Sequence, residues 1–273
     1  MQLGNLLKMN RIKVIENEIV ELKIPKKISF SLKPSENEFD IASLEICCSK
    51  DCDLELDLTS NAKKIRIKIL VEKNVTFNLY LYQRLENSKV QYNYDVLENG
   101  ILHVFKFQKV PVGKEMMAVH LLGENAQFDY QLKDMCIGKE TLDYYVYHDE
   151  KNTSSNIKNN IFSIKGGKST IQVSTFVPKG KKGCVANQSN RIISLNEKKN
   201  EIRPNLYIDE YDVIANHSAL IGKFSSEEMF YLQSRGISKM EATKLLLNGF
   251  LLSDISNKRM QKEIIHAIKD EWR

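Results

Sequence analysis

The chain has 273 residues, 42% of them hydrophobic, enough to bury a substantial core as one large domain or one domain with an appendage. Its formal charge of +5, from 40 basic and 35 acidic side chains, is too small to imply nucleic acid or a membrane surface by itself. No apolar run reaches the length of a membrane span, and the opening Met1-Gln2-Leu3-Gly4-Asn5-Leu6-Leu7-Lys8 lacks the apolar core of a signal peptide. Five cysteines without a regular framework fit a reducing cytosol, so a cytoplasmic protein is expected.

In chain order, a short polar lead gives way to strand-like alternation near Lys13. Leu54, Leu56 and Leu58 alternate with Asp53, Glu55 and Asp57; Ile65, Ile67 and Ile69 alternate with Arg66 and Lys68; Val75, Phe77, Leu79 and Leu81 share one face of the next run. After the Asn99-Gly100 turn, Ile101, His103, Phe105 and Phe107 form a face. Leu142, Tyr144, Val146 and His148 form another, before a polar loop from Asp149 to Asn160. Each is the period-two signal of a strand, and the breaks are Asn, Lys, Glu and Gly clusters rather than helices. Such a series predicts a sandwich, a barrel or a β-solenoid. With no fixed-length repeat in view, the pattern does not choose among them.

From Pro204 to Gly222 the alternation continues, and then the period changes. Ser225 with Glu228 makes a capping box, opening a helix that carries Met229, Phe230 and Leu232 and stops at Gly236. Ser238 with Glu241 repeats the box, opening a second helix through Leu245, Leu246 and Leu247 to about Phe250.

Asp212-Val213, Ala215-Asn216-His217-Ser218-Ala219 and Gly222, followed by Phe230-Tyr231-Leu232-Gln233-Ser234-Arg235-Gly236-Ile237, Glu241-Ala242 and Gly249-Phe250, resemble the C-terminal signature of the SufB/SufD family. That family supplies the scaffold subunits of the SUF iron–sulfur cluster assembly system. The Ile221-Gly222 pair and the Phe-Tyr-Leu-x-Ser-Arg-Gly helix resemble the SufD branch more than SufB. The likeness extends back through the segment from Gly183 to Arg191, through His148 with Thr153 and Ser155, and to Leu121-Leu122-Gly123-Glu124-Asn125-Ala126. The first 70 residues or so match poorly, so the family's helical N-terminal domain is expected to be missing or reduced to a stub. The resemblance implies a mainly β protein, with a right-handed parallel β-helix (solenoid) core and a C-terminal α-helical segment. The division expected is a short lead over 1–35, the core over 36–222 and a helical ATPase-docking segment over 223–273.

His217 is the leading candidate for chemistry. A neutral imidazole is a common iron ligand, and a strand through Val213, Ala215 and His217 puts small residues beside it. In the family, the SufD histidine at this place lies at the contact with SufB and is implicated in building the nascent cluster; by motif that role falls on His217. Many members carry Cys two residues earlier and Gly just after, where this chain has Ala215 and Ser218, so no local thiolate assists. Cys47, Cys48 and Cys52 match no metal spacing, and adjacent residues of a strand point to opposite faces, so they read as reduced structural cysteines, as do Cys136 and Cys184. Gly166-Gly167-Lys168-Ser169-Thr170 imitates a phosphate loop, but Phe162 replaces the required first glycine and a strand follows instead of a helix: it is a turn. Lys179, Lys181 and Lys182 read as a solvated corner. No Ser/His/Asp, HExxH or nucleophile-elbow motif is present.

The resemblance therefore implies a non-catalytic scaffold, binding no nucleotide itself. It would pair with a SufB-like subunit and dock a SufC-like ABC ATPase through Phe230, Tyr231, Arg235, Gly236 and Phe250. A transient, nascent iron–sulfur cluster would be shared with the partner; neither nucleic acid nor membrane is expected. One alternative is the single B/D-type subunit of a minimal homodimeric system. A polysaccharide-acting β-helix enzyme would need acidic calcium ligands and a basic catalytic residue on one face, and neither is visible. A remoter reading makes the Ser225–Phe250 hairpin a DNA-binding helix-turn-helix, but Leu245, Leu246 and Leu247 suit packing better than base contact.

Overall fold

A computed structural model describes residues 10–15, 18–23, 28–34, 41–59, 62–85, 88–109 and 113–272. Its strands are β1 Asn10–Ile15, β2 Glu18–Lys23, β3 Ile28–Pro34, β4 Ile41–Cys48, β5 Cys52–Leu58, β6 Lys64–Val71, β7 Thr76–Gln83, β8 Lys89–Val96 and β9 Ile101–Gln108. They continue as β10 Lys114–Leu121, β11 Gln127–Cys136, β12 Lys139–His148, β13 Ser154–Ser163, β14 Lys168–Val177, β15 Cys184–Ser194, β16 Glu201–Ile208 and β17 Val213–Gly222. Three helices follow: α1 Ser226–Ser234, α2 Lys239–Leu252 and α3 Lys258–Glu271. From β4 onward, odd strands build one sheet in the order β17-β15-β13-β11-β9-β7-β5, and even strands build a second, β16-β14-β12-β10-β8-β6-β4. Every neighbouring pair in those two runs is parallel, for example β5 with β7 and β14 with β16. The chain thus winds between two facing sheets as a parallel β-solenoid of about six turns. The three early strands border it: β1 adds in parallel to β5 and takes β2 antiparallel, while β3 joins β4 antiparallel. The opening Met1–Lys8 lies outside the described residues.

Parallel sheets are usually covered on both faces and read as unbroken apolar runs. Here the even sheet presents its outer face to water, so its strands alternate, as in the buried-intermediate rhythm of Lys139–His148. The inward residues meet in one core, with Leu54, Leu79, Ile67, Ile69, Tyr92, Tyr94, Phe128, Tyr130, Tyr144 and Val173 among those fully buried. Leu54, Leu56, Leu58, Ile65, Ile67, Ile69, Val75, Phe77, Leu79, Leu81, Leu142, Tyr144, Val146 and His148 all face inward as their alternation predicts. In β9 the inward face is the other one. Leu102, Val104 and Lys106 are buried in the interior, while Ile101, His103 and Phe105 are half-buried on the outside. Period two separates two faces but cannot say which is inner when both carry apolar groups, and here Phe105 stacks outside on Tyr80 with centroids 5.1 Å apart.

The repeat unseen in the sequence is present and stretches along the chain. Residues in register are 25 apart for Asp53 and Asn78, 31 apart for Asn159 and Asn190, and 29 apart for Asn187 and Asn216. One corner repeats an asparagine with left-handed φ: Asn74 (59°), Asn99 (52°), Asn125 (61°) and Asn152 (57°). Asparagine tolerates this conformation best among residues with a side chain. Their amides form a ladder, Asn99 donating to Asn74 at 2.9 Å and Asn125 to Asn99 at 3.0 Å. At the opposite corner, β6, β8, β10, β12 and β14 each begin with lysine: Lys64, Lys89, Lys114, Lys139 and Lys168.

Both capping boxes form as predicted, Ser225 with Glu228 and Ser238 with Glu241, and Gly236 takes φ +83° behind α1. The second helix runs two residues past Phe250, to Leu252. The sequence reading lacked the third helix, which Asn257 caps by accepting from the Met260 amide. Helices α2 and α3 lie on the outer face of the odd sheet. There Leu247, Phe250, Leu251, Met260, Ile264 and Ile268 pack with Tyr82, Phe107, Met135, Phe162 and Ile193 in a second core. This explains why the odd strands become buried on both faces toward their C-terminal ends, as in Gln127–Cys136 and Ser154–Ser163.

Candidate functional site

The last coil leaves one end of the solenoid open. Strand β17 is the terminal member of its sheet and β16 of the other, so among the described residues neither has a neighbour on its far side. His217 pairs in register with Gln188, and the same column runs back through Ile157, Tyr130, Val104, Leu79 and Leu54, all core residues. The imidazole therefore occupies an inward-facing position. Among the described residues no further coil covers it, and it is exposed. Ala215 and Ala219 share that face of β17, because residues two apart point the same way.

The segment Gly183–Arg191, matched separately from the histidine motif, is brought alongside it as β15. Beneath His217, Gln188 donates to Thr175 Oγ1 at 2.9 Å and to the Asn205 carbonyl at 3.1 Å. Next to it, Asn159 donates to Asn190 Oδ1 at 2.7 Å. Gln188 Oε1, Asn190 Nδ2 and Asn159 Oδ1 are buried without a further partner, so the interior under the open end is polar where the earlier coils are mostly apolar. Among the described residues no three His, Cys, Asp or Glu side chains are placed to hold a metal ion. His217 presents a single imidazole at this end.

An outer column of the even sheet also ends at this edge. His120, Tyr147, Phe176 and Tyr207 stack face to face with centroids 4.7, 4.9 and 4.7 Å apart. Tyr207, last in the file, is 52% exposed. No role for it was read from the sequence, because the lengthening coils hide the recurrence of these aromatic positions.

The helical candidates separate into two groups. Phe230 and Tyr231 on α1 are 73% and 57% exposed, and the Arg235 guanidinium lies over the Tyr231 ring at 5.1 Å. Gly236 is exposed beside them, and α1 buries none of its own residues. Met240 and Leu245 on α2 are exposed as well. Phe250 instead lies in the second core, with Arg191 over its ring at 5.3 Å. Helix α2 buries Ala242, Leu247, Phe250 and Leu251, the behaviour of a packing helix.

His148, Thr153 and Ser155, matched together in sequence, form one buried cluster. Nδ1 of His148 is 2.8 Å from Thr153 Oγ1 and Nε2 is 2.9 Å from Ser155 Oγ. Burial holds this imidazole neutral, its pKa lowered to about 4. Another buried network went unread. Lys106 pairs with Glu115 inside the solenoid, Tyr144 donates to Glu115 at 2.8 Å and Gln83 at 3.2 Å, while burial lowers the lysine pKa. Nearby, burial and then the adjacent Glu140 push the Asp134 pKa well up. The segment before Lys168 is the turn expected, with the Gly167 amide donating back to the Ile164 carbonyl at 2.9 Å. Cys47 and Cys48 face opposite sides of β4 as expected, Cys48 buried and Cys47 half-buried.

A parallel solenoid with one polar, histidine-bearing end open and a helical segment folded along one face defines the class: a parallel β-solenoid with an appended helical segment. The family model of the SufBD core domain of SUF system FeS cluster assembly matches residues 42–250, and the chain belongs to that family. It is 32% identical over 137 residues to the iron–sulfur cluster assembly protein SufD of Bacillus subtilis, covering 48% of this chain and 28% of that protein. It is 33% identical over 105 residues to an iron–sulfur cluster assembly SufBD family protein of Staphylococcus saprophyticus, covering 38% and 23%. A Staphylococcus aureus protein of the same description gives the same identity over the same length. The matched stretch thus spans under a third of these relatives. No helix among the described residues is long and apolar enough to cross a membrane.

Proposed function

We propose that this chain is a SufD-type scaffold: a cytoplasmic, non-catalytic subunit that pairs through its open solenoid end and carries an ABC ATPase on its helical hairpin. The observation that carries this reading is the place of His217, an inward-facing imidazole at an end where no further coil of the described residues covers it. Unpaired strand edges are templates for another chain, so β16 and β17 suit a SufB-like subunit or a second copy. Such a partner would face His217 and supply the thiolates this chain lacks there. The nascent cluster is cargo held between two chains, and His217 contributes one ligand to it. The exposed aromatic groups of α1 offer the ATPase an apolar contact with an arginine at its centre.

The test is His217→Ala in the reconstituted complex. The imidazole is exposed, so folding and complex formation should be nearly unchanged, while cluster assembly followed by its visible absorbance should fall at least several-fold. Assembly at the normal rate would remove the role. Light scattering of the chain alone, and with a SufB-like partner, separates a homodimer from a heterodimer.

A further inference from the structure

Three thiols cluster at the corner that joins β4 to β5 in the first full coil. Cys48 ends β4 and is buried; Cys52 opens β5 and is half-buried; their sulfurs are 3.5 Å apart. Cys47 is turned away, its thiol 3.5 Å from Glu72 Oε1. The corner is held on both sides. The Glu72 amide donates to the Cys48 carbonyl at 3.0 Å, the Thr76 amide to Asp51 Oδ1 at 2.7 Å, and the Cys48 thiol to the Lys50 carbonyl at 3.1 Å. The remaining thiols lie apart, Cys136 donating to the Gly138 carbonyl and Cys184 beside Thr153.

We propose that Cys48 and Cys52 are a redox-active dithiol, forming a reversible intramolecular disulfide by exchange with a small-molecule disulfide of the glutathione type. A disulfide bond is about 2.05 Å long, so the sulfurs need close by only about 1.5 Å. The corner already keeps both ends in place. Cys52 is the half-buried residue of the pair and Cys48 the fully buried one. As thiolate Cys52 attacks one sulfur of oxidised glutathione, whose S–S bond breaks as the mixed disulfide forms; the departing glutathione thiolate takes up the proton Cys52 lost. Cys48 then gives up its proton and attacks the Cys52 sulfur. The Cys48–Cys52 bond forms, and the second glutathione leaves as a thiolate and is protonated. Two protein thiols are oxidised and one glutathione disulfide is reduced. The product ties β4 to β5 at the end of the solenoid opposite His217.

The experiment equilibrates the full chain in glutathione buffers of rising oxidised fraction, quenches in acid, alkylates, digests with trypsin and maps peptides by mass spectrometry. Lys50 lies between the two cysteines, so cleavage there turns the bond into a linked peptide pair. The expected result is the paired loss of two of the five alkylatable thiols, with a mass decrease of two hydrogens and reversal by reduced glutathione. Cys47→Ser should leave the bond in place and Cys48→Ser should abolish it; the wild-type map stands without either variant. Five alkylatable thiols throughout, a bond from Cys47, or a glutathione adduct that never resolves would each overturn the proposal.

Discussion

The residues that matter most inside this solenoid are polar ones held where a β-core is ordinarily apolar. His148 is the clearest case. Its two ring nitrogens meet hydroxyls of Thr153 and Ser155, and burial lowers its pKa to about 4. An unfolded histidine titrates near 6.5. Below that value the unfolded chain binds a proton that the folded chain refuses, so stability contributed by the neutral ring is intact above about pH 6.5 and is lost as pH falls toward 4. Over that window the loss is roughly 3 kcal/mol at one pKa unit per 1.4 kcal/mol. Urea midpoints of wild type and His148→Gln should therefore differ most at pH 7.5 and converge by pH 4.5. A gap independent of pH would show that the ring's protonation is not linked to folding. Lys106 and Glu115 illustrate the same principle, since an unpaired charge there would face the full cost of desolvation.

Among the elements, α3 deserves its position through one arginine as well as through its apolar stripe. Met260, Ile264, Ala267 and Ile268 recur at helical spacing and pack on the odd sheet. Arg259 lies 4.3 Å over the Tyr82 ring, donates to Asp57 at 2.6 and 2.9 Å, and reaches Glu55 Oε2 at 2.8 Å. The acids that alternate with leucines in β5 are thus the outer-face anchors of a helix some 200 residues away. Arg259→Ala would take the guanidinium away from two nearly buried carboxylates, Glu55 and Asp57. Because the arginine is itself a quarter exposed, a loss of about 2 kcal/mol is expected, below the 3–5 of a fully buried pair. Urea unfolding measures it, and limited proteolysis should release α3 sooner than in the wild type. An unchanged midpoint would make this ion pair ornamental and leave the attachment to the apolar stripe and the contacts of Glu263 and Glu271 with Arg84 and Lys165.

For the whole molecule, the helical segment covers one face of the solenoid and, in the function proposed above, also carries the ATPase. Helices α2 and α3 cover Tyr82, Phe107, Met135, Phe162 and Ile193, so removing everything after Gly222 would strip one face of the solenoid. Substitution on α1 avoids that damage, because α1 buries nothing. The double variant Phe230→Ala/Tyr231→Ala should keep the wild-type circular dichroism and unfolding midpoint while weakening capture of the ATPase at least tenfold in a titration. ATPase affinity equal to wild type would place the docking surface elsewhere.

The sequence by itself determined the β character, the capped helical hairpin, the Gly167 turn and the likeness to the SufB/SufD family, because each rests on local spacing within a few residues. Which face of β9 turns inward was decided only by tertiary packing, since Leu102 and Val104 compete with Phe105 and Phe107 and alternation is indifferent between them. The third helix was within reach: Asn257 and the Met260–Ile264–Ile268 spacing are local signals. The asparagine corner and the lysines that open the even strands also lie in plain order in the chain, but coils that lengthen from 25 to 31 residues carry them out of any fixed period. Most of all, tertiary structure decided what His217 is. In its strand it is the middle of three polar residues, Asn216, His217 and Ser218, set between two alanines; only the winding places it on a core column and then ends that column, leaving an inward imidazole that no coil of the described residues covers.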